Sequence, residues 1–133
     1  MKVLRDSKAL KAALYDFRRK NKGVGFVPTM GDLHEGHLSL VRQAKRENKV
    51  AVVSIFVNPL QFGPNEDFQK YPRMLHEDTE KLRSCHIDLL FTPSEKDLYP
   101  YGFSTVVSVG LSAHLCGEFR PGYFDGVATV CLK

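Results

Sequence analysis

Two histidines three residues apart, His34 and His37, stand in the stretch VGFVPTMGDLHEGH (residues 24–37), beside Gly31 and Gly36 and just after an apolar, β-branched run that breaks at Pro28. The order of residue types reads as strand, turn, helix start. Glycines let backbone approach a ligand closely, and the free N–H groups of a helix N-terminus carry about half a positive charge toward whatever lies there. Such an end suits a phosphate. At a spacing of three, both imidazoles fall on one face of the opening turn and can aim N–H donors at the same place. Attack on the α-phosphate of a nucleotide builds negative charge on nonbridging and leaving oxygens, and two fixed imidazole donors stabilise that charge more than the ground state. Gly36 is expected to let the helix come close to the nucleotide. Two other readings accompany the motif: capping and packing histidines, and a metal pair lacking a third nearby ligand.

The elements that must position this turn follow from periodicity. Ser7 is expected to cap a first helix with apolar positions Leu10, Ala13, Leu14 and Phe17, closed by Gly23, so that one amphipathic helix precedes the sheet. Residues 24–27 read as a buried strand. Residues 36–47 read as a helix with Leu38, Val41 and Ala44 on one stripe. VAVVSIFV (50–57) is too uniformly apolar for a half-exposed strand and belongs in a parallel sheet covered on both faces. A proline-rich loop, a helix over 74–84 and a strand over 87–91 complete a right-handed doubly wound α/β unit. Its functional loops lie at the strand ends, residues 28–37, 58–62 and 92–98. Farther on, Ser94 and Asp97 suggest a capping box, 103–109 a strand, 111–116 a short helix, 120–122 a turn, and 125–133 a helix or strand. That last element runs to the final residue without a cap or breaker, which reads as truncation before the domain ends.

Composition excludes several function classes. The chain has 133 residues, 43% hydrophobic and 26% charged, enough for one soluble domain with a real core. Its longest apolar run falls far short of the ~20 residues that cross a bilayer, and the N-terminus has no signal-peptide core, so a cytoplasmic location without membrane attachment is expected. Cys85, Cys116 and Cys131 show no CxxC spacing and read as reduced. Net charge is +4, with a pI near 9.0, yet the densest basic run (Arg18, Arg19, Lys20, Lys22) ends a helix, where cations complement the dipole. Nucleic-acid binding is not indicated.

Three segments in this order, VPTMGDLHEGHLSLVRQAK, VVSIFVNPLQFGPNEDFQKYPR and DLLFTPSEKDLYP, resemble pantothenate synthetase, the ATP-dependent pantoate and β-alanine ligase. The resemblance covers residues 24–133. It implies a Rossmann-like sheet of the HIGH-type nucleotidyltransferase superfamily, with residues 1–133 forming an incomplete N-terminal ATP- and pantoate-binding domain and the C-terminal domain absent. Met30, Gly31, Asp32, Leu33, His34, Glu35, Gly36 and His37 match the family's ATP-binding stretch, and His37 matches its proton donor. Gln61 matches the glutamine that holds pantoate and contacts the β-alanine site. A carboxamide can hold a hydroxy acid without adding repelling charge, and Asn58 can serve similarly or act as an Asn-Pro loop starter. Tyr71, Glu77 and Asp78 are near enough in sequence for Mg²⁺ or substrate roles, although charges at a helix start are more often solvated.

The implied activity is a ligase forming a pantoyl adenylate from ATP and pantoate, then pantothenate from β-alanine, with Mg²⁺ accompanying ATP and a homodimeric assembly. The 133 residues alone are expected to be inactive, because the family's later phosphate-contacting stretches are missing. Alternatives are another nucleotidyltransferase of the superfamily and a nucleotide-binding or dimerising module without turnover. Two departures stand out: Asp32 where a small residue or Asn is usual, which adds negative charge near the phosphates, and Tyr123 in RPGYF where a His is usual.

Overall fold

Val50, Ala51, Val52 and Val53, each 2% exposed or less, lie at the centre of the fold in strand β3 (Val50–Ile55). The computed structural model describes residues 1–108, 120 and 122–133. On one side of β3 runs β2 (Val24–Thr29), parallel and in register from Val24 opposite Val50 to Thr29 opposite Ile55. On the other runs β4 (Leu89–Phe91), with Val52 opposite Leu89, and beyond it β1 (Lys2–Leu4), with Lys2 opposite Leu89. The order is β1-β4-β3-β2, all parallel.

Each face of the sheet has its own helical cover, which is why β3 is apolar at every position but one, Ser54. Helix α1 (Ser7–Arg19) lays Leu10, Ala13, Leu14 and Phe17 on the face that carries Leu4, Val50, Val52, Leu89 and Phe91. Helices α2 (Glu35–Glu47) and α3 (Leu75–Ser84) bring Val41 and Leu82 to Val27, Ala51, Val53 and Leu90 on the opposite face. Helices on both faces of a parallel sheet make the doubly wound α/β arrangement. Two of its fully buried side chains, Val41 and Leu82, each contribute about 1.5–3 kcal/mol by leaving water.

Several local expectations are corrected. A strand, β1, precedes the first helix. The cap of α1 is Asp6 and not Ser7, its carboxylate accepting the Ala9 N–H at 2.7 Å. The chain leaves α1 at Lys20 through Asn21, whose φ of +50° an Asn tolerates, so Gly23 is not the stop. Strand β2 continues through Pro28 and is half-exposed, with Phe26 51% exposed. It is a sheet edge among the described residues, and an edge strand has N–H positions no ladder uses, where proline can sit.

Residues 103–108 form no strand, and Val109 and 111–116 lie outside the described residues, as do Cys116 and Pro121. The Ser94–Asp97 capping box is present at the start of α4 (Glu95–Leu98). The final element is helical, α5 (Tyr123–Leu132), preceded by a turn in which the Tyr123 N–H donates to the Arg120 carbonyl at 3.1 Å.

Candidate active site

The turn leaving β2 ends on His34, which caps α2 with its own ring. His34 Nδ1 accepts the Gly36 N–H at 3.1 Å, and His37 Nδ1 accepts the His34 N–H at 3.4 Å, a reciprocal cap built from two imidazoles. An imidazole nitrogen that accepts carries no proton, so the neutral form of each ring holds its proton on Nε2. The ring centroids are 4.2 Å apart. Burial, and then the neighbouring His34, lower the pKa of His37 below the ordinary histidine value, while Asp78 and Asp32 oppose that shift. His37 is therefore a neutral N–H donor at neutral pH.

Gly36 has a use within the cap itself. A Cβ there would sit 2.8 Å from His34 Cε1, so the glycine makes room for the capping ring. Nor are all the N–H groups of the turn free for an anion. His34 takes that of Gly36, and those of Asp32 and Leu33 donate to the carboxylate of Asp78 at 2.9 and 2.8 Å. Asp78, expected to be solvated, is 1% exposed.

The second loop, at the end of β3, contains a 3₁₀ turn over Pro59–Gln61. Asn58 caps it and is 1% exposed. Its Nδ2 donates to Gln61 Oε1 at 2.8 Å and to the Gly126 carbonyl at 3.0 Å, and its Oδ1 accepts from the Leu60 N–H at 3.3 Å and the Tyr99 hydroxyl at 2.8 Å. Those four bonds use the whole carboxamide. Asn58 thus lies behind Gln61 as its support and is spent as a loop starter. Gln61, whose oxygen accepts one bond from Asn58, retains its two Nε2–H donors and the second lone pair of that oxygen. Burial above all pushes the Tyr99 hydroxyl up to about 12, keeping it protonated as the donor to Asn58.

Arg120 closes the same loop from the other side. It forks onto Glu66 at 2.6 and 3.0 Å, donates to the Gln61 carbonyl at 3.3 Å, and stacks over the Tyr123 ring at 4.1 Å. The Arg120 bond holds Glu66 below the usual carboxylate range, and Glu66 in turn raises Arg120. Sequence alone points to neither as a site residue, nor to Tyr99 and Gly126. The RPGYF turn was the one local signal near them.

Met30, His37, Gln61, Tyr71 and Tyr123 line one cavity of about 600 Å³, which continues between α1 and α5 past Leu14 and Val127. Burial, followed by Asp32, Tyr123 and Asp78, raises the Tyr71 hydroxyl above its ordinary value. His34 lies against His37, Leu33 is in the core at 2% exposed, and Asp32, Glu35 and Gly36 are at the surface, Glu35 paired with Arg42. Gly31 lines a smaller cavity of about 370 Å³ on the other side of Met30. Glu77 is exposed. Among the described residues no group of three or more His, Cys, Asp or Glu side chains is placed to hold a metal ion, and no helix is long and apolar enough to cross a membrane.

A family model for pantoate-beta-alanine ligase matches residues 2–133. The chain is 54% identical to the pantothenate synthetases of Thermodesulfovibrio yellowstonii and of Thermotoga petrophila, in each case over all of this chain and 48% of the relative. It spans about half the length of the curated relatives it matches. Among solved structures, the pantothenate synthetase of Thermus thermophilus superposes with a TM-score of 0.91 at 51% identity, over 99% of this chain and 47% of that one. A pantoate-beta-alanine ligase from Francisella tularensis, complexed with beta-gamma ATP and beta-alanine, superposes with a TM-score of 0.85 at 45% identity, over 99% of this chain and 51% of that one.

Proposed function

Because this chain belongs to the pantoate-beta-alanine ligase family, we propose that it carries the ATP and pantoate sites of an enzyme that joins pantoate to β-alanine. One observation carries the reading: both histidine rings spend Nδ1 on the helix cap, which leaves Nε2–H outside it, with His37 and Gln61 on the wall of one cavity. In the first step a pantoate carboxylate oxygen attacks the α-phosphorus of ATP, and pyrophosphate leaves with the bonding electrons of the broken P–O bond. The pantoyl adenylate that results is attacked at its acyl carbon by the β-alanine amine, which loses a proton as AMP departs.

The residues have distinct parts in this scheme. His37 and His34 donate Nε2–H bonds to the phosphate oxygens that gain charge, a contribution that grows in the transition state. Met30–His37 as a stretch receives the nucleotide. Gln61 donates its two Nε2–H groups to pantoate, and Asn58 orients Gln61 from behind. Mg²⁺ arrives with the triphosphate. A cytoplasmic location and a homodimeric assembly belong to the same proposal.

Calorimetric titration with ATP and Mg²⁺, followed by assay of AMP and pyrophosphate with pantoate added, tests it. Saturable ATP binding with the 133 residues alone is expected. Their turnover is expected to be at least about 10³ below that of a full-length relative, since loss of phosphate-clamping groups costs several kcal/mol in the transition state. Heat on titrating pantoate but none on titrating ATP would remove the nucleotide assignment.

A further inference from the structure

The turn between β2 and α2 is bent by two successive left-handed residues, Gly31 at φ +88° and Asp32 at φ +52°. The bend brings the N–H groups of Asp32 and Leu33 to the same side. Successive N–H groups arranged in this way make a cradle for an anion. Here the protein supplies its own: Asp78 Oδ2 accepts from Asp32 at 2.9 Å and Oδ1 from Leu33 at 2.8 Å. The carboxylate is 1% exposed and lies close against residue 31, where a Cβ would stand 3.2 Å from Oδ2, tighter than ordinary contact. Three residues farther along α3, Lys81 Nζ donates to the Leu33 carbonyl at 2.7 Å. Donor and acceptor of Leu33 are both held by one helix.

We infer that Asp78 and Lys81 form a clasp on α3 that sets the Met30–Leu33 turn in its ligand-receiving shape. Asp78 is then a positioning residue and not a ligand of Mg²⁺ or of the nucleotide. That the turn receives ATP rests on the proposed function; that the clasp sets the turn does not. Both carboxylate oxygens are already engaged by backbone donors, and a buried acceptor released from them would leave two N–H groups unpaired. A cation seated on Asp78 would have to break the bonds that shape the turn leading into His34 and His37.

Asp78→Asn keeps the shape of the side chain but turns an NH₂ group toward one of the two N–H donors, so one bond must fail. Amide hydrogen exchange by NMR on the full 133-residue chain reads the result directly, with the β3 amides of Val52 and Val53 as the reference for global opening. The exchange of Asp32 and Leu33 should accelerate at least about tenfold relative to β3, the scale of one lost hydrogen bond. ATP affinity, titrated with and without Mg²⁺, should fall by a similar factor of about ten in both conditions, because a misplaced turn weakens nucleotide binding whatever the cation.

Unchanged exchange at Asp32 and Leu33 would overturn the clasp. So would a loss of affinity confined to Mg²⁺-containing solution, which would make Asp78 a cation ligand. Absence of ATP binding by the wild-type chain would overturn the nucleotide assignment instead, and exchange would still decide the clasp. Should Asp78→Asn not fold, Lys81→Met carries the test, with Leu33 expected to exchange at least about threefold faster and no change there refuting the inference.

Discussion

Gly126→Ala probes how the Gln61 loop is held. Helix α5 crosses the Pro59–Gln61 turn so closely that a Cβ at position 126 would lie 2.3 Å from the Leu60 oxygen, 2.7 Å from its carbon and 3.1 Å from the Gln61 nitrogen. All three atoms are backbone, so no rotamer change relieves the overlap. Helix and turn must separate by about 1 Å to reach ordinary contact, an overpacking strain worth about 1–3 kcal/mol. That movement also stretches the 3.0 Å bond from Asn58 to the Gly126 carbonyl, and a buried polar pair pulled apart costs about 1–3 kcal/mol. The better helix propensity of Ala returns about 1 kcal/mol. The expected net destabilisation is about 1–5 kcal/mol in urea unfolding, with the carboxamide NMR signals of Asn58 and Gln61 shifted. Gly63→Ala is the control: nothing lies within 4 Å of its added Cβ and its φ is not positive, so it should be neutral or stabilising by up to about 1 kcal/mol. A Gly126→Ala protein within about 0.5 kcal/mol of wild type, with those signals unmoved, would refute the packing argument.

Three further outcomes are expected. Alanine at the position of His37 in a full-length relative should slow adenylate formation, followed by pyrophosphate release, by about 10²- to 10³-fold with ATP affinity little changed; a change in KM alone would refute the donor role. Because burial lowers the pKa of folded His37, the unfolded chain takes up the proton first as pH falls through about 6.5, so this residue's share of stability is present above that pH and is lost below it. An NMR titration of the His37 ring should have its midpoint below about 6.5, and a midpoint above it would reverse the sign. Gln61→Ala should weaken pantoate binding by about 1–3 kcal/mol in calorimetry and leave ATP binding nearly unchanged, whereas an unaltered pantoate titration would move that site elsewhere.

Local pattern made the centre of the fold legible and left its margins obscure. The nearly unbroken apolar run of β3 and the Leu38, Val41, Ala44 stripe of α2 each state their burial within a dozen residues. Strand β1 has three residues, one of them charged, and becomes a strand only through Leu89–Phe91, to which it is joined in register from far along the chain. Nothing near Lys2 in sequence announces that partner. Strand β2 reads as buried because Val24, Phe26 and Val27 are apolar, yet among the described residues it stands at the end of the sheet order, with Phe26 half in solvent and Pro28 within the strand. Apolar type reports what a residue tolerates, and position in the sheet order decides what it receives.

The same division runs through the candidate site. His34 and His37 are legible because the turn they make is local: a spacing of three lets each ring accept from backbone at the helix start. Their supports come from far along the chain. Asp78 reaches back 46 residues to Asp32, Asn58 reaches forward 68 to Gly126, and Arg120 reaches back 54 to Glu66. Each of these side chains has an ordinary local explanation, as a solvated carboxylate in a first helical turn, an Asn-Pro loop starter, or an arginine in a turn. Asn58 even satisfies its local one, since it accepts the Leu60 N–H while holding Gln61 and Gly126. A residue type sets only how many donors and acceptors must be satisfied; burial then forces the choice of partner, because an unpaired group in the interior costs more than the bond it forgoes. At 1% exposure, Asp78 and Asn58 could not remain solvated or wait for a ligand, and the backbone of the two loops they hold was the partner within reach.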